Sequence, residues 1–177
     1  MIDLRTFEAM TKEPTLILNA RQINWKLIRM AHEIHENHYK EKELVLVGIE
    51  GRGSQLATRL CKLLSEISEL TLHQEEIRLN KDKPLSEPLI YSGDVKSLKG
   101  KSVILVDDVL NSGKTLIYAS RFLLEVDLKS LAIATLVDRF HKKFPIRPDI
   151  VGLTLSTNLR EHVTVNLNKG KEAVYLD

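Results

Sequence analysis

Apolar positions recur along the chain with two different periods. Ile23, Leu27, Met30, Ala31 and Ile34 fall three and four apart, the spacing of one helical face, and Asn19 stands ahead of them as an N-cap. This pattern predicts a helix running to about His38. Residues 43–49 form an unbroken apolar run closed by Gly51 and Gly53, the signature of a strand buried on both faces. Leu56, Leu60, Leu63, Leu64 and Ile67 predict a second helix, and residues 70–79 a more polar strand nearer a sheet edge. A second buried strand is expected at 101–106, ending at Asp107 and Asp108, then a helix at 113–126 and a strand at 130–137. The alternation predicts an α/β fold, a doubly wound and mostly parallel sheet with flanking helices. Residues 150–155, 162–167 and 173–176 read as short strands of a small accessory sheet. Residues 80–100 hold Lys81, Asp82, Lys83, Pro84, Pro88 and Gly93 and predict a long exposed loop, with room for a short hairpin. Loops of that length in a compact domain usually have a function.

Composition narrows the classes. The 177 residues suit one domain spanning 1–177. Lys plus Arg is 26 and Asp plus Glu 24, so the net charge of +2 excludes a polyelectrolyte coat and leaves room for a local basic patch. The lone Cys61 excludes an internal disulfide framework and a multi-cysteine metal cage, and a reducing cytoplasm is the expected location. The first fourteen residues carry Asp3, Arg5, Glu8, Lys12 and Glu13 and lack the apolar stretch of an export signal. The apolar runs fall far short of the ~20 residues that cross a bilayer, so no membrane partner is expected.

The chemistry concentrates at residues 103–115, VILVDDVLNSGKT, where a buried strand passes through a tight turn into a helix. Ligands of open parallel sheets bind at the carboxyl ends of strands, and a helix N-terminus offers N–H groups and a positive dipole end to phosphate. Ser112, Gly113, Lys114 and Thr115 add hydroxyls, close backbone approach and one charge. The paired carboxylates Asp107 and Asp108 suit the hydroxyls of a vicinal diol. Gly113-Lys114-Thr115 copies the end of a Walker A loop, but that motif needs glycine where Asp108 stands. A phospho-acceptor receiver domain is disfavoured because no acidic pair ends the first strand.

Residues 103–115 resemble the ribose-phosphate signature of the type I phosphoribosyltransferases, which use 5-phospho-α-D-ribose 1-diphosphate (PRPP). The resemblance extends over residues 24–177. Within the family it is greatest to the pyrimidine operon attenuator proteins that are also uracil phosphoribosyltransferases. Four segments carry it: RMAHEI at 29–34, VGIEGRG at 47–53, residues 103–115, and VDRFHKKFPIR at 137–147. The resemblance implies transfer of phosphoribose from PRPP to a nucleobase, giving uridine monophosphate from uracil. It implies that Asp107 and Asp108 bind the ribose hydroxyls, and that Val109, Leu110, Asn111, Ser112, Gly113, Lys114 and Thr115 complete the PRPP site. Glu50, Gly51, Arg52 and Gly53 match the diphosphate loop, with Arg52 on the leaving group. Residues 80–100 match a mobile lid bearing Lys81, and residues 138–177 include a hood. Asp138, Arg139, Ile150 and Val151 are the expected base contacts, with main-chain groups of Val151 reading the base edge. Mg²⁺ is the implied cofactor, bound mainly through PRPP, with no protein-built metal site assigned. A homodimer or higher homo-oligomer is expected.

Three departures matter. The lid reads Lys81-Asp82-Lys83-Pro84 where the attenuator group has an arginine and two acidic residues, and lysine lacks the bidentate fork. Asn111 replaces the acidic residue of the purine-salvage relatives, and Asp138 stands where they place a lysine. Both favour a pyrimidine over hypoxanthine or guanine. Three rival functions remain: an RNA-binding regulator of pyrimidine genes responsive to uridine monophosphate, through Arg29, His32, His141, Lys142 and Arg147, a purine-base phosphoribosyltransferase, and a nucleotide-binding protein without turnover.

Overall fold

The computed structural model describes residues 13–140, 142–156 and 161–177. Its main sheet grows from β2 (Glu43–Ile49), flanked by β3 (Thr71–Arg78) and β5 (Ser102–Leu110), all parallel. β6 (Ser130–Arg139) continues the sheet from β5, and β7 (Ile150–Leu155) pairs with β6, again parallel. β4 (Ile90–Tyr91) adds a short antiparallel edge on β3. A separate sheet joins β1 (Thr15–Asn19), β9 (Ala173–Leu176) and β8 (Val163–Asn166).

Helix α1 (Ala20–Asn37) starts where expected, with a reciprocal cap. Asn19 Oδ1 accepts the Gln22 N–H, and Gln22 Oε1 accepts the Asn19 N–H, both at 2.9 Å. Its buried face is the predicted one: Ile23, Leu27, Met30, Ala31 and Ile34. α2 (Arg52–Ile67) packs beside α1, and their apolar faces share a core with the small sheet through Leu18, Val165 and Val174. α3 (Lys114–Leu123) covers the other face through Leu116, Ala119 and Leu123. The sheet is therefore covered on both faces, as a doubly wound fold requires.

Four local expectations are corrected. β7 belongs to the main sheet and not to the accessory one, because its apolar Ile150 and Gly152 bury against β6. β1 has no counterpart in the periodicity reading, since it pairs with β9 at the opposite end of the chain, in the Thr15–Leu176 to Asn19–Ala173 register. β5 does not end at the aspartates but runs through them to Leu110. Residues 80–100 are only half irregular. Beyond β4, a 3-10 turn at Val95–Leu98 seats Leu98 in the core, so the segment without regular structure ends near position 89.

Chain direction places the site. From β2 the chain winds outward through α2 to β3. From β5, on the other side of β2, it winds outward through α3 to β6. The carboxyl ends of β2 and β5 are thus the topological switch point, where an open sheet leaves a crevice.

Candidate functional site

A cavity of about 380 Å³ opens at that switch point. Asp107, Val109, Leu110 and the turn Asn111–Thr115 line it from β5 and α3, Arg52 from α2, and Lys81 and Asp82 from the segment after β3. Arg139, His162 and Val163 close the remaining side. Residues from five separate parts of the sequence therefore meet where the sequence places the chemistry.

Backbone geometry brings the two helix starts close to β5. A Cβ on Gly53 would stand 2.8 Å from the Val106 carbonyl oxygen and 3.3 Å from the Asp107 Cα, so only glycine lets α2 begin this close to the aspartates. Gly113 has φ +83°, the left-handed region, and turns the chain from β5 into α3. It gives α3 no side-chain cap, and the first turn carries no acidic residue, which leaves this helix start suited to an external anion. The Ser112 carbonyl accepts the N–H groups of Lys143 and Phe144, at 2.9 and 3.1 Å, and this ties the turn to the chain after β6.

Consecutive residues of a strand face opposite ways, and this separates the two aspartates. Asp107 lines the cavity. Asp108 does not; its Oδ2 lies 2.6 Å from the Arg52 Nε. Arg52 also donates to the Val165 carbonyl at 3.3 Å, so the arginine joins β5 to β8 at the cavity edge. Both carboxyls are almost fully buried, at 4% and 3% exposure. Burial foremost, then the charge of Asp108, pushes the Asp107 carboxyl well above the ordinary carboxylate range, with Lys81 opposing. Lys81 is thus close enough for its charge to be felt at Asp107. The turn that carries it is held by Asn80 Oδ1, which accepts the N–H groups of Asp82 and Lys83, and by Lys114 Nζ, which donates to the Asp82 carbonyl.

Other expected contacts fall elsewhere. Glu50 lies apart from this cavity, 3.7 Å from Arg78 Nε across a separate, smaller crevice. Gly51 caps α2 beside Arg52. Ile150 is fully buried in the core, and the Val151 carbonyl accepts a hydrogen bond from Arg29. The parallel register explains this. Ile150 and Val151 pair with Ala134 and Thr135, four residues short of the Asp138–Arg139 edge, or about 13 Å at strand rise. They do not reach the cavity. Asp138 faces a second cavity of about 790 Å³ with Phe140, Lys142, Phe144 and Arg147, and its Oδ2 accepts from Lys142 Nζ at 2.9 Å. Only Arg139, of the four residues expected on the base, lines the first cavity. His162 and Val163 line it too; a strand was expected at 162–167, but nothing in the sequence pattern put its start at the cavity. Their signal lies in the pairing of β8 with β9, where His162 exchanges backbone hydrogen bonds with Asp177 at 3.0 and 2.9 Å.

The five basic residues expected on RNA are dispersed in role. Arg29 donates to the Val151 and Gly152 carbonyls and pairs with Glu33 at 3.0 Å, which fastens α1 to β7. Lys142 is held by Asp138, His32 and Arg147 are exposed, and His141 lies outside the described residues. Among the described residues no group of three or more His, Cys, Asp or Glu could hold a metal ion. No helix among them is long and apolar enough to cross a membrane.

The phosphoribosyl transferase domain family matches residues 15–168, nearly the whole described chain. The chain belongs to this family. Its relatives include a protein named bifunctional protein PyrR from Thermoanaerobacter sp. (strain X514), 35% identical over 164 residues, covering 86% of this chain and 90% of that protein. A protein of the same name from Streptomyces coelicolor is 37% identical over 177 residues, covering 93% and 90%. The fold matches a hypoxanthine-guanine phosphoribosyltransferase from Bacillus anthracis at TM-score 0.75 and 18% identity, over 91% of this chain and 96% of that one. It also matches the hypoxanthine phosphoribosyltransferase of Trypanosoma cruzi at TM-score 0.76 and 15% identity, over 92% and 95%. Membership assigns PRPP-dependent phosphoribosyl transfer as the activity.

Proposed function

We propose that the chain makes uridine monophosphate and diphosphate from uracil and PRPP. The observation that carries this reading is the meeting of Asp107, the turn Asn111–Thr115, Arg52 and Lys81 around one cavity at the switch point. In the proposed arrangement Asp107 accepts hydrogen bonds from the ribose hydroxyls, and the N-terminus of α3 cradles the 5′-phosphate. Asp108 aims Arg52, which with the backbone of residues 50–53 holds the diphosphate. Lys81 meets the same diphosphate when residues 80–89 close as a lid, which also excludes water. The reaction has an oxocarbenium-like transition state by analogy with glycoside transfer. The protein's contribution is to position the reactants and to neutralise the leaving group.

Mg²⁺ fits this site as the companion of PRPP. The carboxyl oxygens of Asp107, which lines the cavity, suit it, and the scarcity of other protein donors among the described residues leaves its remaining positions to substrate oxygens and water. When bound, the ion offsets charge on the diphosphate. The choice of uracil rests on the resemblance to the attenuator group and on Asn111 and Asp138. Incubating the protein with PRPP, Mg²⁺ and a panel of bases, and measuring nucleotide and diphosphate, tests it. Uracil is expected to give both products in equal amounts, and faster turnover of hypoxanthine or guanine would overturn it.

A second reading, nucleotide-responsive RNA binding, gains one observation. Phe140 is 71% exposed beside Lys142 and Arg147, an aromatic face among cations of the kind that stacks unpaired bases. Gel-shift titration against single-stranded RNA, with and without uridine monophosphate, distinguishes specific binding from a patch whose affinity merely collapses with salt.

A further inference from the structure

We propose that Arg139 and Asn111 together select the base, Arg139 holding the Asn111 amide so that it presents N–H donors and not its oxygen. This rests on the phosphoribosyl-transfer reading above. Arg139 ends β6 with 4% exposure. One guanidinium nitrogen donates to the Asn111 Oδ1 at 3.0 Å, and the other terminal nitrogen donates to the Glu161 carbonyl at 2.7 Å. A guanidinium has donors and no acceptor, so it meets the oxygen of an amide and never its nitrogen. The orientation of the Asn111 side chain is therefore fixed by chemistry. Asn111 lines the cavity, and with its oxygen engaged by Arg139 the amide group left for a ligand is Nδ2, a donor.

The turn bearing Asn111 is held from two directions. Arg139 fastens it to the segment leading into β8, and the Lys143 and Phe144 N–H groups fasten Ser112 from the far side. The amide is thus preorganised. It need not reorient when a base arrives.

The reaction gives those donors a task. The base's ring nitrogen forms the new C1–N bond while the C1–O bond breaks and its electron pair leaves on diphosphate. The ring nitrogen's proton is released to solvent. As that proton departs, negative charge spreads onto carbonyl oxygens conjugated with the nitrogen. N–H donors stabilise such an oxygen, which uracil carries on both sides of its ring. A purine that brings its imidazole N–H to the same place sets donor against donor, and a buried unpaired donor is what makes polar sites discriminate.

The test is the ratio of kcat/KM for uracil to that for hypoxanthine, at saturating PRPP and Mg²⁺. Both bases share PRPP, so a common loss of PRPP binding cancels from the ratio. Asn111→Leu removes the donors without adding charge, and Asn111→Asp replaces them with an acceptor. Both should lower the ratio, by at least about tenfold for Asn111→Asp, the worth of one good hydrogen bond to a charged group. Arg139→Gln, which can donate or accept and so lets the amide turn, should lower the ratio too. Arg139→Lys has only donors and should keep it, even where overall activity falls. A merely structural arginine would move activity and leave the ratio alone in all four variants. An unchanged ratio in folded Asn111→Asp and Arg139→Gln overturns the proposal while nucleotide formation by the wild type stands. A wild type that makes no nucleotide from any base overturns the underlying reading, and the proposal with it.

Discussion

The two ends of the cavity are built from different kinds of chain. The end we assign to ribose phosphate is one stretch of chain, from Asp107 through the left-handed Gly113 to Thr115, with α2 pressed against it at Gly53 and the Asn111 side chain alone tied across to the base end by Arg139. The end we assign to the base is gathered from afar. Arg139 comes from β6, His162 and Val163 from the start of β8, and hydrogen bonds bridging 22 and 28 positions hold Arg139 in place. The first end is shaped by backbone sterics, the second by side chains reaching between segments. Damage to the first should therefore cost binding and stability together. Damage to the second should change selectivity with the fold intact.

The sharpest way to break the first end is Arg52→Ala. It leaves Asp108 buried beside Asp107 with no cation, where breaking a buried pair costs about 3–5 kcal/mol, less here because Arg52 is itself 47% exposed. Denaturant unfolding should show a loss nearer ~2 kcal/mol, and turnover with PRPP should fall at least about a hundredfold. Gly53→Ala comes next. Its Cβ meets backbone, so α2 must shift off β5 at a cost of about 1–3 kcal/mol, and PRPP affinity should fall with stability.

Asp107→Asn separates the two quantities within the first end. Burial and the charge of Asp108 raise the Asp107 carboxyl, so the folded state binds its proton more tightly than the unfolded state. The stability this group contributes is full below the ordinary carboxylate range, near pH ~4, and is lost as pH rises from there toward the raised folded value. Asparagine carries no such ionisation. The variant should gain on the wild type as pH rises from about 4 to about 8, by at least about 1.4 kcal/mol, the worth of one pKa unit, while its PRPP affinity falls. A difference that is flat across that range would mean that Asp107 titrates normally. Smallest is the lid. Lys81→Ala should lower kcat about tenfold and leave the base KM nearly unchanged, since its charge is met by diphosphate in the closed state. Unaltered rate and PRPP affinity would make residues 80–89 a linker.

The same contrast explains what could be read before the structure. The stripe Ile23 to Ile34, the apolar run of β2, and the strand–turn–helix around Asp107 depend on neighbours in sequence, and each was legible there. The different partners of the two aspartates were partly within reach, because strand alternation directs neighbouring side chains apart, although their carboxyls remain near enough to act on each other. The base end was not legible. Whether Ile150 and Val151 reach the cavity depends on the register of β7 against β6, and β7 begins four residues back from the edge. Nor does any local pattern around Asn111 show that an arginine 28 residues later will claim its carbonyl oxygen.

PRPP affinity in the double variant Asp107→Asn, Asp108→Asn tests the central assignment most directly. Titration calorimetry with PRPP and Mg²⁺, on protein whose circular dichroism matches the wild type, gives the quantity without requiring any base. The variant loses the Asp107 acceptor for the ribose hydroxyls and the Asp108 carboxylate that aims Arg52 at the diphosphate, each worth about 1.5–3 kcal/mol, so binding should weaken at least about a hundredfold, on the order of 3 kcal/mol in total. PRPP bound by the folded double variant as tightly as by the wild type would contradict the placement of the ribose at the carboxyl end of β5.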